Sequence, residues 1–417
     1  MLKNKNIIRA VIVLAMFFSV LVTNRYVDFE NAIMNGFSDV SYYTNIAKAF
    51  PHLTKSFTTY HHAQRFFFPY IIGMISHITG ISLYASFMIF AVTFLLATLC
   101  VMDRILYSVN GAVYALCMAL IIFNPYIFRL YLFCPGMITD LMFLFGTSVI
   151  ILGLVKDSTY ILLTGSVVAI LARQTAVMFM PGFFIWLAVS ENFGTEKFKK
   201  KLFRFTLVSV AIVLLYKITG YVASIFGGDN MNLQHLCSLI PYIKASIHNL
   251  KRIDIIYFFV NLIVRDTFSL TLSVAVLIPI VIFCRRNVKL PKESWLMILF
   301  AMLIMFQPVM NGFPNDATRL VSYAVIPLIT AAAIVSGSVP PLKLMTNTLI
   351  LFLCLLCYIG SFHHHYSRVH LVFPSFSNSQ FALLHYVVVA VVFTVLWREF
   401  FKGNSQPSIS ESTPSLH

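Results

Sequence analysis

Charged side chains are what this sequence has least of, and acids are scarcer still: Asp and Glu number 15 against 30 Lys and Arg in 417 residues. Charge makes up 11% of the chain, where a soluble domain carries about a quarter. Hydrophobic residues make up 59%, and the mean hydropathy is +0.85. No soluble core hides that much apolar surface at this length, so a water-soluble globular fold is excluded. The signatures of nucleotide and hydrolytic chemistry are missing too. The chain has no P-loop, no H-E-x-x-H, no G-x-S-x-G and no G-x-G-x-x-G, which argues against nucleotide-driven chemistry on a soluble domain. No internal repeat is visible, which argues against transporters built from duplicated halves. Cysteine is sparse, at 7 residues. Most lie in apolar runs, where cysteine acts as a small hydrophobe. A Cys134–Cys237 disulfide stays open.

What is present is a succession of apolar runs matching the thickness of a bilayer. They cover approximately 1–22, 82–101, 110–124, 138–155, 158–171, 174–190, 203–225, 268–284, 294–310, 319–335, 345–360 and 382–398. The expectation is an all-α, polytopic transmembrane helical bundle of about twelve spans. Residues 66–80, FFFPYIIGMISHITG, are apolar but interrupted by Pro69, Gly73 and His77. With them lying in the interface, the basic clusters EKFKKKLFR (196–204) and CRRNVKLPKE (284–293) both fall inside, as the positive-inside rule requires. Both termini are then cytoplasmic, and the tail 403–417, polar and rich in Ser and Pro, reads as disordered. The net charge of +15 is explained by that rule and by membrane lipids, with nucleic acid no partner. No basic stripe interleaved with exposed aromatics occurs.

This topology gathers the chemically interesting residues on the outer side. The first outer loop, 25–81, contains FSDVSYYTNIAKAFP, an amphipathic helical pattern with Asp39 at its start and Tyr42 and Tyr43 following. A carboxylate there suits the helix dipole, and on the residues alone a helix cap and a catalytic acid both stay open. Asp140 falls just inside a span, where acids are rare, and Arg129 precedes it in the same outer loop. Arg65, Arg173 and Arg319 stand at outer turns. Arginine there is a good phosphate ligand because its donors are bidentate, and it is equally a head-group anchor. Lys217 lies within a span, the loop 226–267 carries many charges, and His363, His364, His365 and His370 form a histidine-rich outer loop. No carboxylate or cysteine stands near those histidines to complete a metal site.

The order of these landmarks resembles the GT-C superfamily of polytopic glycosyltransferases, which includes protein mannosyltransferases and the aminoarabinose transferases of lipid A. A first span leads to an outer loop with an acid and aromatics (Asp39, Tyr42, Tyr43). Arg65-x-x-x-Pro69 follows, running into an interfacial helix. Then come an asparagine-proline loop ending in Thr139-Asp140, an Arg-Gln-Thr turn before Pro181, and an arginine, Arg319, ahead of Tyr323 and Pro327. The resemblance covers roughly 25–330 and implies one GT-C-like transmembrane domain over 1–402.

It further implies a polyprenyl-phosphate-linked sugar donor used on the outer face, with a glycan, lipid or protein as acceptor. Asp39 would be the general base. Asp140 would position the acceptor or help bind a divalent cation, Mg or Mn. Arg319, Arg173 and Arg65 would hold the donor phosphate, and Tyr42, Tyr43, Arg129 and Tyr323 would position substrate. Relatives often carry two adjacent acids in the first loop, whereas here Asp39 is flanked by Ser38 and Val40. A lipid-linked glycan polymerase or ligase, a lipid-sugar flippase and a non-catalytic scaffold are the competing readings. No N-x-S/T sequon occurs, which suits a bacterial inner membrane.

Overall fold

The computed structural model describes residues 2–34, 37–52, 60–109, 128–226, 291–310, 317–337 and 378–402, with shorter pieces between 274 and 375. Among them the chain is helical and no extended strand occurs. The first part comprises α1 (Leu2–Thr23), α2 (Phe29–Met34), α3 (Asp39–Lys48), α4 (Tyr60–Ala63), α5 (Phe67–Thr79) and α6 (Leu83–Val109). The central part comprises α7 (Arg129–Phe133), α8 (Ile138–Val155), α9 (Thr159–Ala172), α10 (Phe179–Ser190) and α11 (Glu196–Phe226). Then follow α12 (Lys292–Met310), α13 (Ala317–Ser322), α14 (Val325–Ser336) and α15 (Asn378–Lys402).

Among the described residues, six stretches are long and apolar enough to cross a membrane: Asn6–Thr23, Leu83–Val109, Pro135–Val155, Glu196–Phe226, Arg319–Ser336 and Leu383–Phe401. This is the build of a helical membrane protein. The most apolar 18-residue windows of Pro135–Val155 and Arg319–Ser336 are 83% and 94% buried, and that of Asn6–Thr23 is 17% buried. α8 and α14 are therefore central, and α1 is peripheral. A helix apolar on every side belongs in a core or in lipid, and α1 presents Ile7, Val11, Phe18 and Val22 outward.

The expected segments at 158–171 and 174–190 are helical but short. α9 has 14 residues and spans about 21 Å at 1.5 Å per residue, against roughly 30 Å of hydrocarbon. It stops because Arg173 is extended, at φ −153° and ψ 140°. Residues 174–190 divide into a 3-10 turn, Gln174–Met178, and α10. The apolar run 66–80 forms α5, whose 13 residues are also too short to span by length. Segment 110–124, most of 268–284 and 345–360, the loop 227–267, the histidines at 363–365 and 370, and the tail 403–417 lie outside the described residues.

The centre is a hairpin of α8 and α9. Its turn places Asp157 at φ 51°, a left-handed conformation that Asp tolerates better than most residues. Ser158 then caps α9 by accepting the Ile161 N–H. Gly165 allows the two helices to touch, since a Cβ there would come within 2.5 Å of the Ile150 nitrogen. Small residues at such crossings are how helices approach closely in lipid.

The hairpin also defines two ends of the bundle. α8 runs from Asp140 to Val155, and α9 returns to Arg173. α14 runs parallel to α8 in this sense, starting beside Tyr323 and ending near Ile334. The basic segment 196–204 opens α11 at the end where α8 finishes, and Arg204 there binds Asp157. At the start of α1, Arg9 meets Asp103 near the end of α6, 2.5 Å from Nη2 to Oδ2.

Candidate functional site

At the other end of the bundle, two acids and three arginines converge. Asp39 opens α3, and its carboxylate faces away from a capping role. One oxygen accepts from Nη2 of Arg319 at 2.9 Å, and the other lies 3.1 Å from Nε2 of His62. Asp140, in the first turn of α8, is fully buried and accepts from Nη1 of Arg173. Its second oxygen lies 3.3 Å from Nε of Arg319. That contact is an ion pair rather than a well-formed hydrogen bond. Arg319 thus bridges the two carboxylates.

The remaining bonds tie in the aromatics. Nη1 of Arg173 also donates to the Tyr323 hydroxyl at 2.7 Å. Arg65 donates to the Tyr43 hydroxyl at 2.9 Å and to Oε1 of Gln174 at 3.0 Å. Tyr42 stacks on the His62 ring at 4.2 Å between centroids. Arg65, Arg173 and Arg319 are all buried, at 2%, 3% and 7% exposure. Among the described residues, three guanidinium groups face two carboxylates, one positive charge in excess. A buried excess charge is costly without a counter-ion, so the cluster as built favours an anion.

Local sequence explains why the backbone delivers these groups. Each arginine stands shortly before a proline in the first turn of a helix: Arg65 before Pro69 in α5, Arg173 before Pro181 in α10, Arg319 before Pro327 in α14. Proline costs nothing there, because a first-turn N–H has no intrahelical acceptor. The chain therefore breaks and restarts at this end, and the arginines sit at the breaks. α3 is held by close backbone contact with α5. A Cβ on Gly73 would overlap the Ala47 carbonyl. Tyr43, Ile46 and Ala47 form part of the buried face of α3, joined by Val40 and Thr44.

Burial alone would raise the Asp39 carboxyl. The His62 hydrogen bond and the charges of Arg319, His62 and Arg65 outweigh it and hold the group well below the ordinary carboxylate range. Asp39 is therefore ionised. Burial lowers the His62 imidazole, and the nearby Arg65 and Arg173 add to this against the opposing pull of Asp39.

Of the residues singled out by sequence, Asp39, Asp140, Arg65, Arg173, Arg319, Tyr43 and Tyr323 meet in this cluster, and Tyr42 flanks it through His62. Arg129 stands at the C-terminal end of α1. It donates to the Thr23 hydroxyl at 2.8 Å, to the Thr23 carbonyl at 3.2 Å and to Asn24 at 3.4 Å. Lys217 is on an exposed side of α11. Cys134 is a buried free thiol, and Cys237 lies outside the described residues. Sequence reading passed over His62 and Gln174. The signals for them are adjacency to Arg65 in the run Tyr60–Arg65 and to Arg173 in the Arg-Gln-Thr turn.

A Mg or Mn ion held by both carboxylates would have to displace Arg319 from between them and sit against three arginines. The residues as arranged do not fit it. Among the described residues, no group of three or more His, Cys, Asp or Glu gathers as a metal site. No family model, no curated protein and no solved structure matches this chain.

Proposed function

We propose that the chain is a membrane glycosyltransferase that moves a sugar from a polyprenyl-phosphate-linked donor to an acceptor hydroxyl on the outer face of a membrane, with a GT-C-like arrangement of about twelve spans and both termini inside. One observation carries the reading: Arg319 bridges Asp39 and Asp140 in a buried cluster with one positive charge to spare, at the end opposite the basic segment 196–204. The positive-inside rule then puts the cluster outside.

In this mechanism the acceptor oxygen attacks the anomeric carbon of the donor. Its proton passes to the ionised Asp39 as the bond from the anomeric carbon to the phosphate oxygen breaks. The electron pair leaves with the lipid phosphate, whose growing negative charge is met by Arg319, Arg173 and Arg65. The low proton affinity of Asp39 keeps the base in its reactive form. Its basicity rises at the moment Arg319 turns toward the departing phosphate. Asp140 holds Arg173 and Arg319 in place until then, and Tyr43 orients Arg65. Mg and Mn have no part in these steps.

The test is Asp39→Asn in purified protein, assayed for sugar release from a panel of polyprenyl phosphate sugars, with thermal melting as the control on folding. Transfer should fall by about 100-fold or more while melting stays cooperative. Wild-type protein that consumes no lipid-linked sugar, or a variant that transfers normally, would shift the reading to a flippase or a glycan polymerase.

A further inference from the structure

The opposite end of the bundle holds a cavity of about 390 Å³. It lies where α8 ends, about 14 residues from Asp140 and so about 21 Å along the helix. It therefore shares no residue with the acid–arginine cluster. Its walls are of two kinds. Trp186, Phe205, Leu296 and Ile334, from α10, α11, α12 and α14, make an apolar face. Arg204, Lys201 and Lys197, one turn apart along α11, make a basic edge.

Arg204 is the informative residue. Its side chain is only 7% exposed. One end of the guanidinium binds Asp157, yet its Nε is buried and has no hydrogen-bond partner. A buried guanidinium N–H left unmatched carries a desolvation penalty, which a ligand oxygen would relieve. Lys201 and Lys197 share a single acid, Glu191, with Lys197 at 3.5 Å. Glu293 at the cavity and Asp157 offset part of the positive charge, but the segment EKFKKKLFR carries five basic residues to one acid. A phosphate is the ligand such an edge selects. The adjoining apolar wall includes Phe205 and Ile334 of the candidate spans Glu196–Phe226 and Arg319–Ser336, so it suits a ligand with a hydrocarbon chain on its phosphate.

We propose that this cavity binds one anionic phospholipid of the surrounding membrane, its phosphate on Arg204 and Lys201 and an acyl chain on the Trp186–Leu296–Ile334 face. The site lies at head-group depth on the side opposite the cluster, and its occupancy ties α8, α11, α12 and α14 together. The lipid completes the hydrogen bonding of Arg204.

The full-length protein, purified from nanodiscs of equal phosphatidylglycerol and phosphatidylcholine, is tested by native mass spectrometry. One retained phosphatidylglycerol is expected. Arg204→Gln should weaken retention about tenfold or more, while Lys48→Gln, at the exposed end of α3 near the cluster, should leave it unchanged. Should Arg204→Gln fail to fold, Lys201→Gln at the edge of the cavity gives the same reading with less disturbance. Equal retention of the two lipids, or retention unaffected by both substitutions, overturns the proposal. So does full competition by millimolar inorganic phosphate, which would make free phosphate the ligand. No transfer assay enters, so failure of the glycosyltransferase reading and failure of this site are separately visible.

Discussion

The two ends of the same helices treat charge in opposite ways. Around Asp39 and Asp140, every named charge is engaged: Asp140 and the three arginines are buried, Asp39 keeps 16% of its side chain exposed, and Arg319 at 7% exposure serves two acids at once. At the far end the pairs reach solvent on at least one side: Arg204 is buried, but its partner Asp157 keeps 65% of its side chain exposed. Lys199 and Glu196 meet at 2.7 Å with 62% and 89% of their side chains exposed. Both ends pair arginine with acid, yet only the cluster holds both partners of a pair largely away from water. An exposed pair is close to energetically neutral, whereas a buried one is costly to build and costlier to break. A chain with so few acids brings two of them against three buried arginines, and that supports the proposed reading of the cluster.

The sharpest way to break this contrast is Arg319→Ala. It leaves two buried carboxylates facing each other, and it should cost about 3–5 kcal/mol of stability together with sugar transfer. Thermal melting in detergent and the transfer assay read the two effects. Normal melting would mean that the carboxylates do not depend on the bridge. Next in size is Gly73→Leu, whose side chain must push α5 away from the Ala47 carbonyl. Overpacking of this kind costs about 1–3 kcal/mol. It should also lower transfer by moving Asp39, although Gly73 itself touches no substrate.

A smaller effect concerns pH. The folded-state proton affinity of His62 is below its ordinary value of 6.5, so the unfolded chain binds the proton more readily. Stability is therefore lost as pH falls through and below 6.5, and His62→Gln should flatten that part of the melting profile relative to wild type. Asp39 has the same sign lower down. The stability it gives is complete above its ordinary 3.8 and is lost only as pH falls below that value. A pH-melting comparison of wild type and His62→Gln between pH 7.5 and 5 separates the two, because Asp39 stays ionised throughout. The smallest expected effect is Lys199→Ala at the open end, within about 0.5 kcal/mol. A larger one would mean that the exposed charges work as a network and that the two ends are less different than their burial suggests.

Much of the cluster was legible in sequence, because rarity made it so. Asp39, Asp140 and the outer arginines stood out against an apolar background, and the prolines that follow them punctuate the chain. His62 was not legible. It lies in a short aromatic run with no helical period, and only the fold of α4 against α3 brings it to Asp39. Arg129 read as a member of the same set, but its bonds to Thr23 and Asn24 join α7 to α1, which nothing in local sequence announces. The helical membrane build was legible from hydropathy. The lengths were less so, since hydropathy registers an apolar run and not the extended residue, Arg173, that cuts one short.

Asp39 and Arg319 are separated by 280 positions in the chain, and that interval has a consequence for biosynthesis. When Asp39 leaves the ribosome, its partner has not yet been translated, and most of the spans have still to enter the bilayer. The acid must wait, matched at best by nearby His62, until the late helices insert and carry Arg319 to it. A polypeptide that stalls or is truncated before that point has Asp39 but not the guanidinium that bridges it to Asp140. On the proposed function, competence would arrive only with the last central helices.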